Sequence, residues 1–259
     1  MLAYTYLLFP ALVVLRALLR PRPHASADIA PPVSIVIAAY NEAATIGAKL
    51  ENLLSLDYPR DRLEVVIASD GSEDGTDEIV RAHANGTVRL LSLPRRGKAE
   101  ALNAAVAAAS GEILVFSDAN SIYAPDAVRA LVRPFADPTV GGVAGDQRYL
   151  VAGGSDGVAA GEQSYWDFDR LLKLTESRAG NVISATGAIY AVRRSLFRPV
   201  PVGVTDDFAT STSVIAQGYR LVFAPDAVAY EPVAPAVELE FGRKVRVITR
   251  GLRGLGYVG

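Results

Sequence analysis

The chain has 259 residues, 50% of them hydrophobic and 21% charged, with 26 basic against 28 acidic side chains. That profile excludes a disordered tail, and a formal net charge of -2 gives no overall electrostatic basis for binding nucleic acid. The absence of cysteine removes disulfides and thiolate metal sites. Two histidines, His24 and His83, are too few for a histidine-based zinc site, so a metal here is expected on oxygen ligands.

Leu2 to Leu19 is almost wholly apolar, broken by Thr5, Pro10 and Arg16, and runs into the basic, Pro-rich stretch Arg20 to Pro23. It is close to the length of about 20 residues that a bilayer core requires. Its positive charge follows the apolar run, whereas a secretory signal carries it in front. A membrane anchor is therefore favoured over a signal peptide or a buried helix. The expectation is a membrane helix over residues 1–20 and a linker over 21–32. Basic residues on the C-terminal flank would then hold the remainder of the chain on the cytoplasmic face of the inner membrane.

From Val33 short apolar runs alternate with helical patterns, the signature of a mainly parallel sheet with helices on both faces. VSIVIAA (Val33 to Ala39) reads as the first strand. Ile46, Leu50, Leu53 and Leu54 mark a helix that stops before Pro59. Strands follow at Leu63 to Ser69, Val88 to Ser92 and Glu112 to Ser117, separated by helices at Thr76 to Ala84 and Lys98 to Ala109. Beyond them come a helix at Asp126 to Phe135 and a weaker strand at Val140 to Gly145. A helix is expected at Ser164 to Ser177, a strand near Ala188 to Val192, and a helix from Phe208 to Gln217 that stops at Gly218.

Two strands run directly into an aspartate, Asp70 after LEVVIAS and Asp118 after EILVFS. Ligands of open α/β sheets bind beyond the carboxyl ends of the strands, so the two acids are placed to share a crevice. Each alone also suits a turn or a helix cap. No G-x-G-x-x-G follows the first strand, and neither a Walker A lysine motif nor a G-x-S-x-G elbow occurs. Asp118 and Asn120, two apart on an extended stretch, offer hard oxygens to Mg²⁺ or Mn²⁺.

Six segments then occur in order: AYNE (Ala39 to Glu42), ASDGSEDGT (Ala68 to Thr76), RRGKAEALN (Arg95 to Asn103), FSDAN (Phe116 to Asn120), ATGAIYAVRR (Ala185 to Arg194) and TDDF (Thr205 to Phe208). Together they resemble the family 2 inverting glycosyltransferases, which have the GT-A fold and use nucleotide-sugar donors. The resemblance implies a GT-A catalytic domain over about residues 33–235. It implies a donor site at Ala39, Tyr40, Glu42, Asp70 and Lys98, with UDP the expected nucleotide. Asp118 matches the first acid of the family's D-x-D metal motif, and Asn120 stands where the second acid often is, so Mg²⁺ or Mn²⁺ is the implied cofactor. Asp207 matches the general base and Asp206 its supporting neighbour. TDDF also suits a plain helix N-terminus, where acids favour the dipole.

The segment around Gly187 and Trp166 is implied to lie along a glycan or lipid-linked acceptor. Gly187 would permit close backbone approach, and Trp166, the sole tryptophan, would stack on a sugar or fill a core or interface position. Residues 236–259 carry Arg243, Lys244, Arg246, Arg250 and Arg253 and suit an interfacial amphipathic segment. Membrane-bound polymer synthases of the family have Q-x-x-R-W at the place of RKVRV, so Arg246 matches the arginine that approaches the diphosphate, while Arg243 and Val247 replace the Gln and Trp. The resemblance therefore implies a metal-dependent hexosyl- or N-acetylhexosaminyltransferase. The competing reading is a degenerate nucleotide-binding subunit of a polysaccharide synthesis complex.

Overall fold

The computed structural model describes residues 4–150, 157–232 and Thr249, with side chains given for all of these but Thr5, Leu150 and residues 157–166. A π-helical turn, Tyr4–Leu8, leads into α1 (Phe9–Leu19). There follow β1 (Val33–Ala39), α2 (Ile46–Leu54), β2 (Leu63–Asp70), α3 (Thr76–His83), β3 (Val88–Leu93), α4 (Lys98–Ala108) and β4 (Ile113–Phe116). The second part holds β5 (Ile122–Tyr123), α5 (Ala127–Val132), β6 (Val140–Leu150), α6 (Gly157–Ala179), β7 (Tyr190–Arg193), α7 (Asp206–Ala216) and β8 (Arg220–Pro232).

These strands form one eight-stranded sheet in the order β3-β2-β1-β4-β7-β6-β8-β5. The pairs β3-β2, β2-β1 and β1-β4 are parallel, and so is β6-β8, whereas β4-β7, β7-β6 and β8-β5 are antiparallel. Because alternate strand residues face opposite sides, Ile35 and Ile37 join a core with Leu50, Leu53, Val80 and Leu131. Val36 and Val66 face the other way, onto Leu102, Ala105, Tyr190 and Val214. Each such fully buried aliphatic side chain contributes about 1.5–3 kcal/mol. The expected α/β sheet, helices on both faces and an N-terminal hydrophobic helix are all present.

The membrane placement is corrected. Among the described residues no helix is long and apolar enough to cross a membrane. One face of the run from Tyr4 to Leu19 packs on α6, while Leu7, Leu12, Leu15, Leu18 and Leu19 stay exposed. Arg16 Nε donates to the Ala179 carbonyl at 3.0 Å, Ala17 is buried, and the Tyr6 ring lies 6.1 Å from that of Phe168. Arg16 thus caps a helix end of this same chain, a favourable place for a cation, rather than reaching lipid headgroups. The stretch 20–32 has neither helix nor strand, yet it is tied down: Arg22 N donates to Arg178 O, and Arg220 Nη2 to Arg22 O. Of the basic segment 236–259, all but Thr249 lies outside the described residues, Arg246 included.

Candidate active site

At the carboxyl ends of β1, β2 and β4, three loops and the first turns of two helices meet. The centre is Lys98, the first residue of α4. Its ammonium donates to Asp118 Oδ1 at 2.8 Å and pairs with Asp206 Oδ1 at 3.1 Å. Asp118 lies just beyond β4, and Asp206 opens α7, so residues 88 apart in sequence are held by one cation. Burial would lower the Lys98 pKa, but the charges of Asp118 and Asp206 outweigh it and raise it above the ordinary lysine value. Among the described residues, two of the ammonium's three donors are engaged, which leaves the third for a ligand.

Asp207 follows on the same helix turn, and its Oδ1 accepts the Phe208 N–H at 2.7 Å. Burial, with the adjacent Asp206 charge, raises its pKa to about 6, against the Phe208 hydrogen bond and Lys98, which lower it. Tyr190, on β7, is buried close to these acids. Burial, then the charges of Asp206 and Asp207, holds its phenol well above the usual tyrosine range.

Asp70 plays a different part from the one its position at a strand end suggests. It is 2% exposed, and its carboxylate is saturated by Arg95 Nη1 at 2.6 Å, Arg96 N at 2.7 Å and Gly97 N at 2.9 and 3.0 Å. It thereby anchors the loop that presents Lys98. Gly71 makes this possible: at φ +68° it turns the chain after β2, and a Cβ there would fall 2.8 Å from Arg95 N. Asp70→Ala would leave Arg96 N and Gly97 N without their acceptor. A loss of roughly 3 kcal/mol in chemical denaturation is expected, together with weaker nucleotide binding.

Tyr40 lies under Arg95, whose Cζ is 3.2 Å from the ring centroid, while the tyrosine remains 43% exposed. Asn41, the next residue, has φ 54°, and its backbone N–H and side-chain oxygen bond to Ser72 Oγ and Glu73 N. Glu42 turns inward: its backbone N–H donates to Thr76 Oγ1, and its carboxylate accepts from Thr45 Oγ1. Ala39 ends β1, paired with Ser69. Tyr40 and Arg95 thus expose a flat cation–aromatic surface, whereas the Glu42 carboxylate is bonded within its own helix start.

Asp118 Oδ2 faces the backbone of Gly187, where a Cβ would lie 2.9 Å from it. Gly187 is therefore placed directly against the Asp118 carboxylate. Asn120 is half-buried in the same loop as Asp118. Trp166 belongs to α6, but its side chain is outside the described residues.

Two cations that sequence reasoning missed shape this region. Arg95 is one. The other is Lys49 on α2, which is fully buried and donates to Ser117 Oγ at 2.7 Å, Ser121 O at 2.6 Å and Ser121 Oγ at 3.1 Å. Its ammonium also sits 3.9 Å from the Tyr123 ring centroid. Burial lowers its pKa to about 7, opposed by the charges of Asp118 and Glu231. The signal for Lys49 was its place on the buried stripe Ile46, Lys49, Leu50, Leu53 of α2.

Comparison with known proteins bears on this geometry. The sequence profile of Glycosyl transferase family 2 matches residues 34–200. A poly-beta-1,6-N-acetyl-D-glucosamine synthase of Staphylococcus aureus is 29% identical over 225 residues, covering 83% of this chain and 53% of the relative. The chain thus spans about half the length of the curated relatives it matches. Among solved structures, a mannosyltransferase from Pyrobaculum calidifontis in complex with GDP-Man and Mn²⁺ has a TM-score of 0.77 and 31% identity, covering 99% of this chain and 79% of that one. A glucosyl-3-phosphoglycerate synthase from Mycobacterium tuberculosis shares the fold, with a TM-score of 0.56 and 23% identity over 87% of this chain and 80% of that one. With an α/β sheet of the GT-A kind and a profile match across most of its length, the chain belongs to glycosyl transferase family 2.

Proposed function

We propose that this chain is an inverting glycosyltransferase that moves a hexosyl or N-acetylhexosaminyl group from a nucleoside-diphosphate sugar to a hydroxyl of a glycan or lipid-linked acceptor. The observation that carries the reading is the Lys98 ammonium clasped between Asp118 and Asp206, with Asp207 beside them. A donor diphosphate reaches the third N–H of Lys98 there, and an acceptor hydroxyl reaches Asp207. The mannosyltransferase bound GDP-Man and the synthase makes an N-acetylglucosamine polymer, so the sugar class follows relatives and the nucleotide base is left to experiment.

Asp118 and Asn120 fit a divalent ion. Their donors are hard oxygens, and Asp118 Oδ2 points to the space left open by Gly187. Among the described residues there is no group of three or more His, Cys, Asp or Glu side chains that would hold a metal unaided. That suits Mg²⁺ or Mn²⁺, which one or two protein oxygens and the substrate's phosphates commonly hold together. When bound, the ion supplies charge neutralisation to the departing diphosphate.

The chain's own residues supply the rest. Asp207 removes the acceptor O–H proton as that oxygen forms its bond to the anomeric carbon. The bond from that carbon to the diphosphate oxygen breaks on the opposite face, and the configuration inverts. Lys98 donates to the leaving diphosphate, and Asp206 holds Lys98 in place. Asp70 and the Arg95–Gly97 loop fix where Lys98 emerges.

Because Asp207 works as a base only when ionised, its raised pKa sets the acidic limb of activity. The sign is that of a carboxyl whose proton is held more tightly than usual. Activity is expected to be half its full value near pH 6, full a unit or more above it, and to fall about tenfold per pH unit well below it. A kcat/KM profile against pH checks this, and a limb at the ordinary aspartate value would remove Asp207 from the role. Purified chain assayed with UDP- and GDP-sugars, with Mn²⁺ and again with chelator, tests the function itself. Release of nucleoside diphosphate that requires both an acceptor and Asp207 is the expected result. Nucleotide binding without any turnover would instead favour the degenerate-subunit reading.

A further inference from the structure

Lys49 is the fully buried cation of α2, and its surroundings are more complete than a stray core lysine needs. Its three N–H donors meet three acceptors, Ser117 Oγ, Ser121 O and Ser121 Oγ, and Tyr123 closes the remaining side. All three acceptors belong to the turn that carries Asp118 and Asn120. The turn folds in around the ammonium: Ser121 Oγ donates to the Asp118 carbonyl at 3.0 Å, and Ser117 Oγ to the same carbonyl at 3.2 Å. Both serine hydroxyls also reach the Ala188 carbonyl, at 3.3 and 3.2 Å, next to the Gly187 backbone that faces Asp118 Oδ2.

Burying an ammonium is costly, and well-packed apolar side chains commonly replace buried ionic groups at no loss of stability. Core stability therefore gives little reason for a lysine here. We infer that Lys49 is a positioning residue of the donor site: by gathering Ser117 and Ser121 around one cation, with their hydroxyls in turn on the Ala188 carbonyl, it fixes the turn that presents Asp118 and Asn120 to the diphosphate and its metal ion. This rests on the reading that Asp118 and Asn120 form the donor end of the site. The partners of Lys49 among the described residues are Ser117, Ser121 and Tyr123, all on the Asp118 side of the site and none on α7, so its influence is expected on donor affinity.

The test is calorimetry of Mn²⁺ with UDP or GDP, whichever the parent chain binds, on Lys49→Met, whose side chain keeps the length and removes the donors. In protein shown to be folded by near-ultraviolet circular dichroism, the metal–nucleotide complex is expected to bind about 10- to 100-fold more weakly, as for groups that orient metal ligands. The donor KM should rise in parallel while the acceptor KM stays at the parent value. Should Lys49→Met not fold, Ser121→Ala keeps the ammonium and two of its bonds, and about fivefold weaker binding is expected. A purely structural role would lower the folded fraction and leave the affinity of that fraction unchanged, and this result overturns the inference. If the parent binds no nucleotide with either metal, the donor-site reading itself fails and takes the role of Lys49 with it. If the parent binds and Asp118→Ala does not, while the folded variant (Lys49→Met, or Ser121→Ala in its place) binds as the parent does, only the role of Lys49 is lost.

Discussion

Asp207→Asn is expected to lower sugar transfer by about 10²–10⁴-fold, the usual contribution of a positioned base, with nucleotide affinity retained. The carboxamide fills the same space and can still accept the Phe208 N–H that Asp207 Oδ1 accepts at 2.7 Å. What it lacks is a basic oxygen for the acceptor proton. It also removes a negative charge beside Asp206, so the α7 N-terminus loses a like-charge neighbour and is not expected to unfold. Single-turnover transfer and calorimetry on the same preparation separate the two effects. Transfer at the parent rate would mean that the acceptor proton goes elsewhere and that Asp207 is only a helix-start acid.

Lys98→Met has the second large effect, and it is distinguishable in kind. Lys98→Met removes the ammonium that holds Asp118 at 2.8 Å and Asp206 at 3.1 Å, so the link between β4 and α7 through that cation is lost. A donor to the leaving diphosphate disappears, and the expected loss in kcat/KM is about 10²–10³-fold. Lys98 also lowers the Asp207 pKa, so its loss moves the acidic limb of the residual activity upward from about 6. Asp207→Asn abolishes that limb, whereas Lys98→Met displaces it. An unmoved limb in Lys98→Met would show that Lys98 and Asp207 are not electrically linked.

The parts of this arrangement differ in how plainly the amino acids announce them. β1 and α2 run over the expected residues because VSIVIAA is buried on both faces and Ile46, Leu50 and Leu53 keep helical spacing. The helix expected to reach Phe135 leaves α-geometry at Val132, since Pro134 cannot continue it, and a 3₁₀ turn covers Arg133–Ala136. β6 passes Gly145 and reaches Leu150, because a register shift between Ala144 and Asp146 lets it keep pairing with β8. β8 was not among the expected strands, since it runs through Pro225 and Asp226, residue types depleted in strands, and β5 is only two residues long.

Among site residues, Asp118 at a strand end and Asp206 of TDDF at a helix start are brought together on the Lys98 ammonium. Asp70 was legible as important but not as the anchor of a loop 25 residues away, which only tertiary structure reveals. The apolar run at the N-terminus was read against lipid because hydropathy registers what a helix avoids and not what it packs on. Its partner, α6, lies more than 130 residues further along.

The strand order also bears on how the site is assembled as the chain is synthesised. β1 to β4 pair among themselves using residues 33–116 alone, so this half of the sheet can close early. Ile122 and Tyr123, by contrast, have their strand partners at Tyr230 and Ala229. The aromatic ring over Lys49 is thus secured by nearly the last strand described. Until β8 emerges, the turn bearing Asp118 lacks one wall of its mould, so the surroundings of Lys49 are among the last parts of the described sheet to be completed.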